Sequence, residues 1–141
     1  VLRNGSVVSR GAVSINSVWP GIFTVNSSGS GLGAADVLRV RANGQQVYEP
    51  ANVPIDVGIP GDRVFLILYG TGLRGRSALN RVQVTLGGTP LVVSYVGQVD
   101  GFVGLDQINL ELPPSLAGRG QLDLLTFVDG WTANTTQFTI K

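Results

Sequence analysis

The sequence predicts an all-β chain folded as a sandwich or a barrel, on three observations. Apolar residues recur with a period of two along most of its 141 residues. That spacing sets one face of each strand on a core and the other toward solvent. Two-residue turn signals (Asn4-Gly5, Asn43-Gly44, Gly87-Gly88 and Asp129-Gly130) and the pairs Pro20-Gly21, Pro60-Gly61 and Pro113-Pro114 cut the chain into short segments, the rhythm of antiparallel strands joined by tight connections. No window carries the i, i+3, i+4, i+7 stripe of an amphipathic helix.

The elements follow in order. Val37-Leu-Arg-Val40 and Gln46-Val-Tyr48 flank Asn43-Gly44 as a hairpin. Arg63-Val-Phe-Leu-Ile-Leu-Tyr69 is a continuous apolar run and suits a central strand buried on both faces. Val82, Val84 and Leu86 alternate with Gln83 and Thr85. Leu91, Val93 and Tyr95 form the next strand, with Val92 and Val96 blurring its phase. Ile108, Leu110 and Leu112 alternate with Asn109 and Glu111; Leu122, Leu124, Thr126 and Val128 continue, and Phe138 and Ile140 close the series. The Gly/Ser stretch 26–33 reads as a loop. Three segments are expected: an N-terminal strand arm over 1–18, a connecting hairpin region over 19–56, and a compact sandwich over 57–141.

The arm repeats the end of the chain. At a constant offset of 125 and without a gap, Asn4 falls on Asp129, Gly5 on Gly130, Val13 on Phe138, Ser14 on Thr139 and Ile15 on Ile140. One body with two closing hairpins has a strand pair to spare, and a spare strand with apolar side chains must be covered by something.

From Pro60 onward the pattern sharpens. Pro60-Gly61-Asp62 leads into a strand ending Tyr69-Gly70-Thr71-Gly72-Leu73; Val82-x-Val84-x-Leu86-Gly87-Gly88 and Ile108-x-Leu110-x-Leu112-Pro113 follow; Gly118 and Gly120 precede another strand, and Asp129-Gly130 precedes Phe138-Thr139-Ile140. This order resembles the IPT/TIG family of immunoglobulin-like domains over residues 57–141. Pro20-Gly21-Ile22-Phe23-Thr24, Ala34-Ala35 and Phe102-Val103-Gly104-Leu105-Asp106-Gln107-Ile108-Asn109 resemble, further, an uncharacterised C-terminal domain of large secreted proteins of Solibacter and other acidobacteria. The resemblance implies an immunoglobulin-like β-sandwich and an extracellular location, places residues 1–18 where the final strand of a preceding module would sit, and carries no catalytic residue.

The composition excludes several functions. Charged residues make up 13 % and the net charge is +1, with no clustered Lys/Arg and interleaved aromatics, so no nucleic-acid partner is expected. No apolar run approaches the roughly 20 residues of a membrane-spanning helix. Without Cys or His there is no disulfide, thiolate site or histidine-based triad, and the only Lys is Lys141; catalytic residues, cofactors and metal are expected to be none. Gly70-Thr-Gly72-Leu-Arg-Gly75 matches G-x-G-x-x-G, but a dinucleotide site needs a helix opening at the third glycine, and only Arg76-Ser-Ala-Leu-Asn80 precedes the next strand; the motif reads as a tight turn. Asp100 and Asp106 flank a Gly-rich loop without the alternating acids of a calcium loop and read as turn residues. Asn4, Asn26 and Asn134 open N-x-Ser/Thr sequons and are candidate glycosylation sites. Trp19 and Trp131 read as packing or interface anchors. The absence of both a signal peptide and an initiator Met is expected of a processed or excised product.

Together these give a non-enzymatic extracellular structural protein. The expected function is a filament subunit whose arm adds to a neighbour's sheet, with Val7, Val8, Val13, Ile15 and Trp19 at the assembly interface. The partner is another copy of the chain, head to tail, or a neighbouring immunoglobulin-like domain. The rival is a binding or adhesion module for polysaccharide or a cell surface, cut from a larger secreted protein. A row of exposed aromatics on one face would mark that rival, and the sequence shows only isolated ones.

Overall fold

The computed structural model describes residues 1–141. It is an immunoglobulin-like sandwich of two antiparallel sheets, with two short 3-10 turns and no helix long and apolar enough to cross a membrane. The first sheet runs β5 (Gln46–Pro50), β4 (Ala35–Val40), β6 (Arg63–Thr71), β10 (Asp106–Leu112), β9 (Val92–Gln98). The short β3 (Gly21–Ile22) shares an edge of β6 with β4, pairing at Thr71 and Gly70 while β4 pairs from Leu68 to Arg63. The second sheet runs β8 (Thr89–Pro90), β7 (Val82–Leu86), β11 (Gly120–Val128), and the far edge of β11 is covered by β12 (Trp131–Thr132) and β13 (Thr136–Ile140) in succession. Residues Leu2–Arg3 (β1) and Ser6–Val7 (β2) pair only with each other.

The apolar run over β6 is the middle of the first sheet, with Leu66 and Leu68 fully buried. Facing it, Val84, Leu86, Leu124, Phe138 and Ile140 supply the other half of a 24-residue core. That core also takes in Val18, Ile22, Val37 and Ile55. The segment 19–56 is one flank of the sandwich, because the β4–β5 hairpin extends the β6 sheet and cannot bury Val37 on its own. Arg39 ties this flank down. It is 2 % exposed, pairs through Nε and Nη2 with Glu49 at 2.6 and 3.0 Å, and donates to the Asp56 carbonyl at 2.7 Å. The Glu49 hydrogen bond holds its guanidinium above the usual range.

Two local expectations change. At Asn43-Gly44 only the glycine has positive φ, so that connection is a longer loop closed by Arg41 N–H to the Gln45 carbonyl. In β9 the pairing jumps from Asn109↔Tyr95 to Leu110↔Val93, leaving Ser94 as a bulge. The bulge inverts the alternation, so Val96 is buried and Tyr95 faces out.

The last strand is sealed on its outer side. Ile55 bridges Ile140 and Leu32 bridges Gln137, both in parallel, through Ile55 N–H to Thr139 O (2.9 Å), Lys141 N–H to Ile55 O (2.8 Å) and Gln137 N–H to Gly31 O (2.8 Å).

Candidate functional site: the N-terminal hairpin and its joint

The N-terminal hairpin repeats the register and turn of the closing hairpin. Asn4 and Gly5 have φ of 52° and 79°, and Asp129 and Gly130 have 50° and 86°, the two positive values of a type I′ turn. Leu2↔Val7 and Arg3↔Ser6 stand at the same offset from Phe127↔Thr132 and Val128↔Trp131. The next bond, Val8 N–H to the Val1 carbonyl (3.0 Å), matches Ala133 N–H to the Thr126 carbonyl (2.9 Å). The repeat is one of backbone register and strand alternation; Arg3 stands where Val128 is buried in the body.

Nothing in the chain covers this segment. Val7, Val8, Val13 and Ile15 are exposed, the last two at 86 % and 93 %, so the residues expected at an interface are unburied and residues 11–15 have no strand partner.

Residues 17–21, by contrast, are seated on the sandwich. The seat is the G-x-G-x-x-G turn. A Cβ on Gly70 would strike the Gly21 carbonyl, one on Gly72 the Trp19 carbonyl, and one on Gly75 the Ser17 carbonyl. The three glycines thus admit the incoming backbone, where a dinucleotide site would admit phosphate. Trp19 N–H donates to the Gly72 carbonyl at 3.2 Å, Val18 enters the core, and the rings of Trp19 and Trp131 meet with centroids 4.7 Å apart. The turn itself is held from below. The Asp106 carboxylate, 1 % exposed, accepts from Leu73 N–H (2.8 Å), Arg74 N–H (3.2 Å) and Arg74 Nε. Asp129 accepts from Ser77 N–H and Oγ at 2.8 and 2.7 Å, bonds that hold its carboxyl below the ordinary aspartate range.

Asn134 completes the joint. Its Oδ1 accepts from Ile22 N–H (2.8 Å) and its Nδ2 donates to the carbonyls of Ile22 (2.9 Å) and Gly29 (2.8 Å). The side chain behaves as a short strand added to β3. The other two sequon asparagines, Asn4 in its turn and Asn26 bonded to Ser28, are exposed. The two acids weighed for calcium part company: Asp106 serves the Leu73–Arg74 turn, and Asp100 lies exposed beside Gln98. No group of three His, Cys, Asp or Glu is gathered closely enough to hold a metal.

Comparison with known protein families, with curated proteins and with solved structures gives no match. The IPT/TIG likeness therefore rests on the sequence motifs.

Proposed function

We propose that this chain is a non-enzymatic extracellular structural module, joined end to end to another immunoglobulin-like unit through residues 1–16. The observation that carries this is the hairpin repeat: register, turn dihedrals and the flanking hydrogen bond recur at one offset. In the body, β13 pairs with Gly120 through Leu124. At the same offset, the partners of residues 11–15 fall at positions N-terminal to Val1. Residues 1–15 then read as the closing hairpin of a preceding unit, and residues 17–141 as the next one.

The alternative neighbour is a second copy, in a filament built by strand complementation. In the sandwich the closing-strand position is filled by β13, with Phe138 and Ile140 each 1 % exposed, and its outer edge is held by Gly31 and Ile55. A second copy could take that position only by displacing β13, so the filled core favours a neighbour in the same polypeptide. Light scattering of the 141-residue chain over a range of concentrations tests this. Monomers are expected throughout. Polymers that vanish when residues 1–16 are deleted would establish the filament instead.

One observation favours the binding-module reading. Strand pairing gathers aromatics that are isolated in sequence: Tyr48 pairs with Leu38 and Leu38 with Phe65, while Tyr95 pairs with Asn109 and Asn109 with Ile67. These residues share the outer face of the first sheet, a platform of the type that stacks on sugar rings. Retention on insoluble polysaccharide that Tyr48→Ala abolishes would support this second reading.

A further inference from the structure

We infer that the end of the sandwich carrying Trp19 and Trp131 is a rigid interface with the preceding unit, and that the Phe102-Val103 loop tip is part of it. This rests on the reading of residues 1–15 as that unit's closing hairpin. Ile15 corresponds to Ile140, the last residue of β13, while Ser17 already lies against Gly75. Only Asn16 separates the last residue of one unit from the first docked residue of the other. Two residue steps span at most about 7 Å, so the preceding unit is held against this end of the sandwich.

The joint is also no swivel. Residues 17–21 sit on three glycines, pair through Gly21↔Thr71 and Ile22↔Gly70, and are clamped by Asn134. A tether this short, leaving a fixed seat in a fixed direction, positions the neighbour over what surrounds the seat.

Large apolar side chains stand around it. Trp19 is 61 % exposed and Trp131 44 %; Leu79, ahead of β7, is exposed; Phe102 is 62 % exposed and Val103 fully so. The Val99-to-Leu105 loop reaches the same end because Arg74 Nη2 donates to the Leu105 carbonyl (2.9 Å) while Arg74 and Leu73 are held by Asp106. Large apolar side chains gathered at the one end where a neighbour is tethered are the chemistry of a contact between units.

Both tryptophans of the chain lie here, so fluorescence reports this end alone. The experiment compares the 141-residue chain with the polypeptide as the cell makes it, including its residues before Val1, with any Trp there replaced by Phe. Acrylamide should quench Trp19 and Trp131 strongly in the short chain and weakly, with blue-shifted emission, in the long one. The double variant Phe102→Ser/Val103→Ser, at an exposed loop tip, should restore quenching and let the two units tumble independently by NMR relaxation. Hydrogen exchange at Val13 and Ile15 separates the two levels of the argument. Amides protected in the long chain while both tryptophans stay quenchable would overturn the interface and leave the closing-hairpin reading intact. Amides unprotected there, or a native polypeptide beginning at Val1, would overturn both.

Discussion

Gly75→Ala tests whether the G-x-G-x-x-G turn is a seat for the incoming chain. Gly75 has an ordinary φ, so alanine carries no backbone strain there. The added methyl would stand 2.9 Å from the Ser17 carbonyl carbon and closer still to its oxygen. Ordinary contact begins near 3.4 Å, so the Ser17 backbone must withdraw. What it takes along sets the cost. The hydrogen bond from Trp19 to Gly72 is worth about 1 kcal/mol. Complete burial of a Val side chain such as Val18 is worth about 1.5–3 kcal/mol, and the half-exposed Trp19–Trp131 pair about 0.5 kcal/mol. Alanine returns about 0.4–1 kcal/mol by restricting the unfolded chain. The expected net loss is roughly 2–4 kcal/mol, a fall in Tm of roughly 10 °C for a chain of this size. The assay is urea unfolding followed by tryptophan fluorescence, with Gly11→Ala as control. Gly11 has nothing within 4 Å of its would-be Cβ and should change stability by less than about 0.5 kcal/mol. If Gly75→Ala behaves like Gly11→Ala and keeps the native emission, residues 17–21 are not seated as described.

Three further outcomes are expected. Asp106→Asn should cost roughly 1–3 kcal/mol in thermal unfolding, because an amide oxygen that keeps the Leu73 and Arg74 N–H bonds turns its NH2 donor toward Arg74 Nε; an unchanged Tm would remove Asp106 as the anchor of the turn. Tyr69, pushed up to about 12 by burial first and by its hydrogen bond to Asp36 second, should ionise late in an alkaline absorbance titration, well above the 10.0 of a free tyrosine. Asp36→Asn should bring it only part of the way back; since the folded value lies above the unfolded 10.0, its contribution to stability is whole below that pH and is lost as pH rises toward about 12. In a host that glycosylates sequons, peptide mass mapping should find glycan at Asn4 or Asn26 and none at Asn134, whose Nδ2 already donates to two carbonyls; a glycan at Asn134 would mean that the clamp on β3 opens.

Local pattern made the strands legible, and it failed where a contact is distant in sequence. The alternations of β7, β10 and β11 and the run over β6 gave their elements directly, since burial on one or both faces writes itself into the residue order. Asn4-Gly5, Gly87-Gly88 and Asp129-Gly130 take the positive φ values their residues allow. Arg39 broke the rule that an arginine marks an outward position: its alternation with Val37 puts it inward, and only the fold shows Glu49 and the Asp56 carbonyl waiting for it. The β9 phase blur at Val92 and Val96 was a true signal, the bulge at Ser94, read without its cause. The glycine triplet and the Trp19-Pro20-Gly21 corner were each visible as unusual. That one is the seat of the other was not, because about fifty residues separate them and glycine leaves no side chain to complement a partner.

The seat also bears on where the proposed boundary between units would fall. Residues 19–56 share the core of the sandwich through Ile22, Val37 and Ile55, and Val18 belongs to it as well, so no division falls at 18 or 56. Ser17 is the first residue in contact with the body through its backbone, and Ile15 is the last that the repeat assigns to a strand. The change of allegiance falls on Asn16, one exposed residue between a hairpin that packs on nothing in this chain and a strap that three glycines admit. On the proposed reading, a linker of one residue cannot act as a flexible spacer, and what the chain would transmit across Asn16 is orientation. That is the property a structural array needs and a tethered binding module does not.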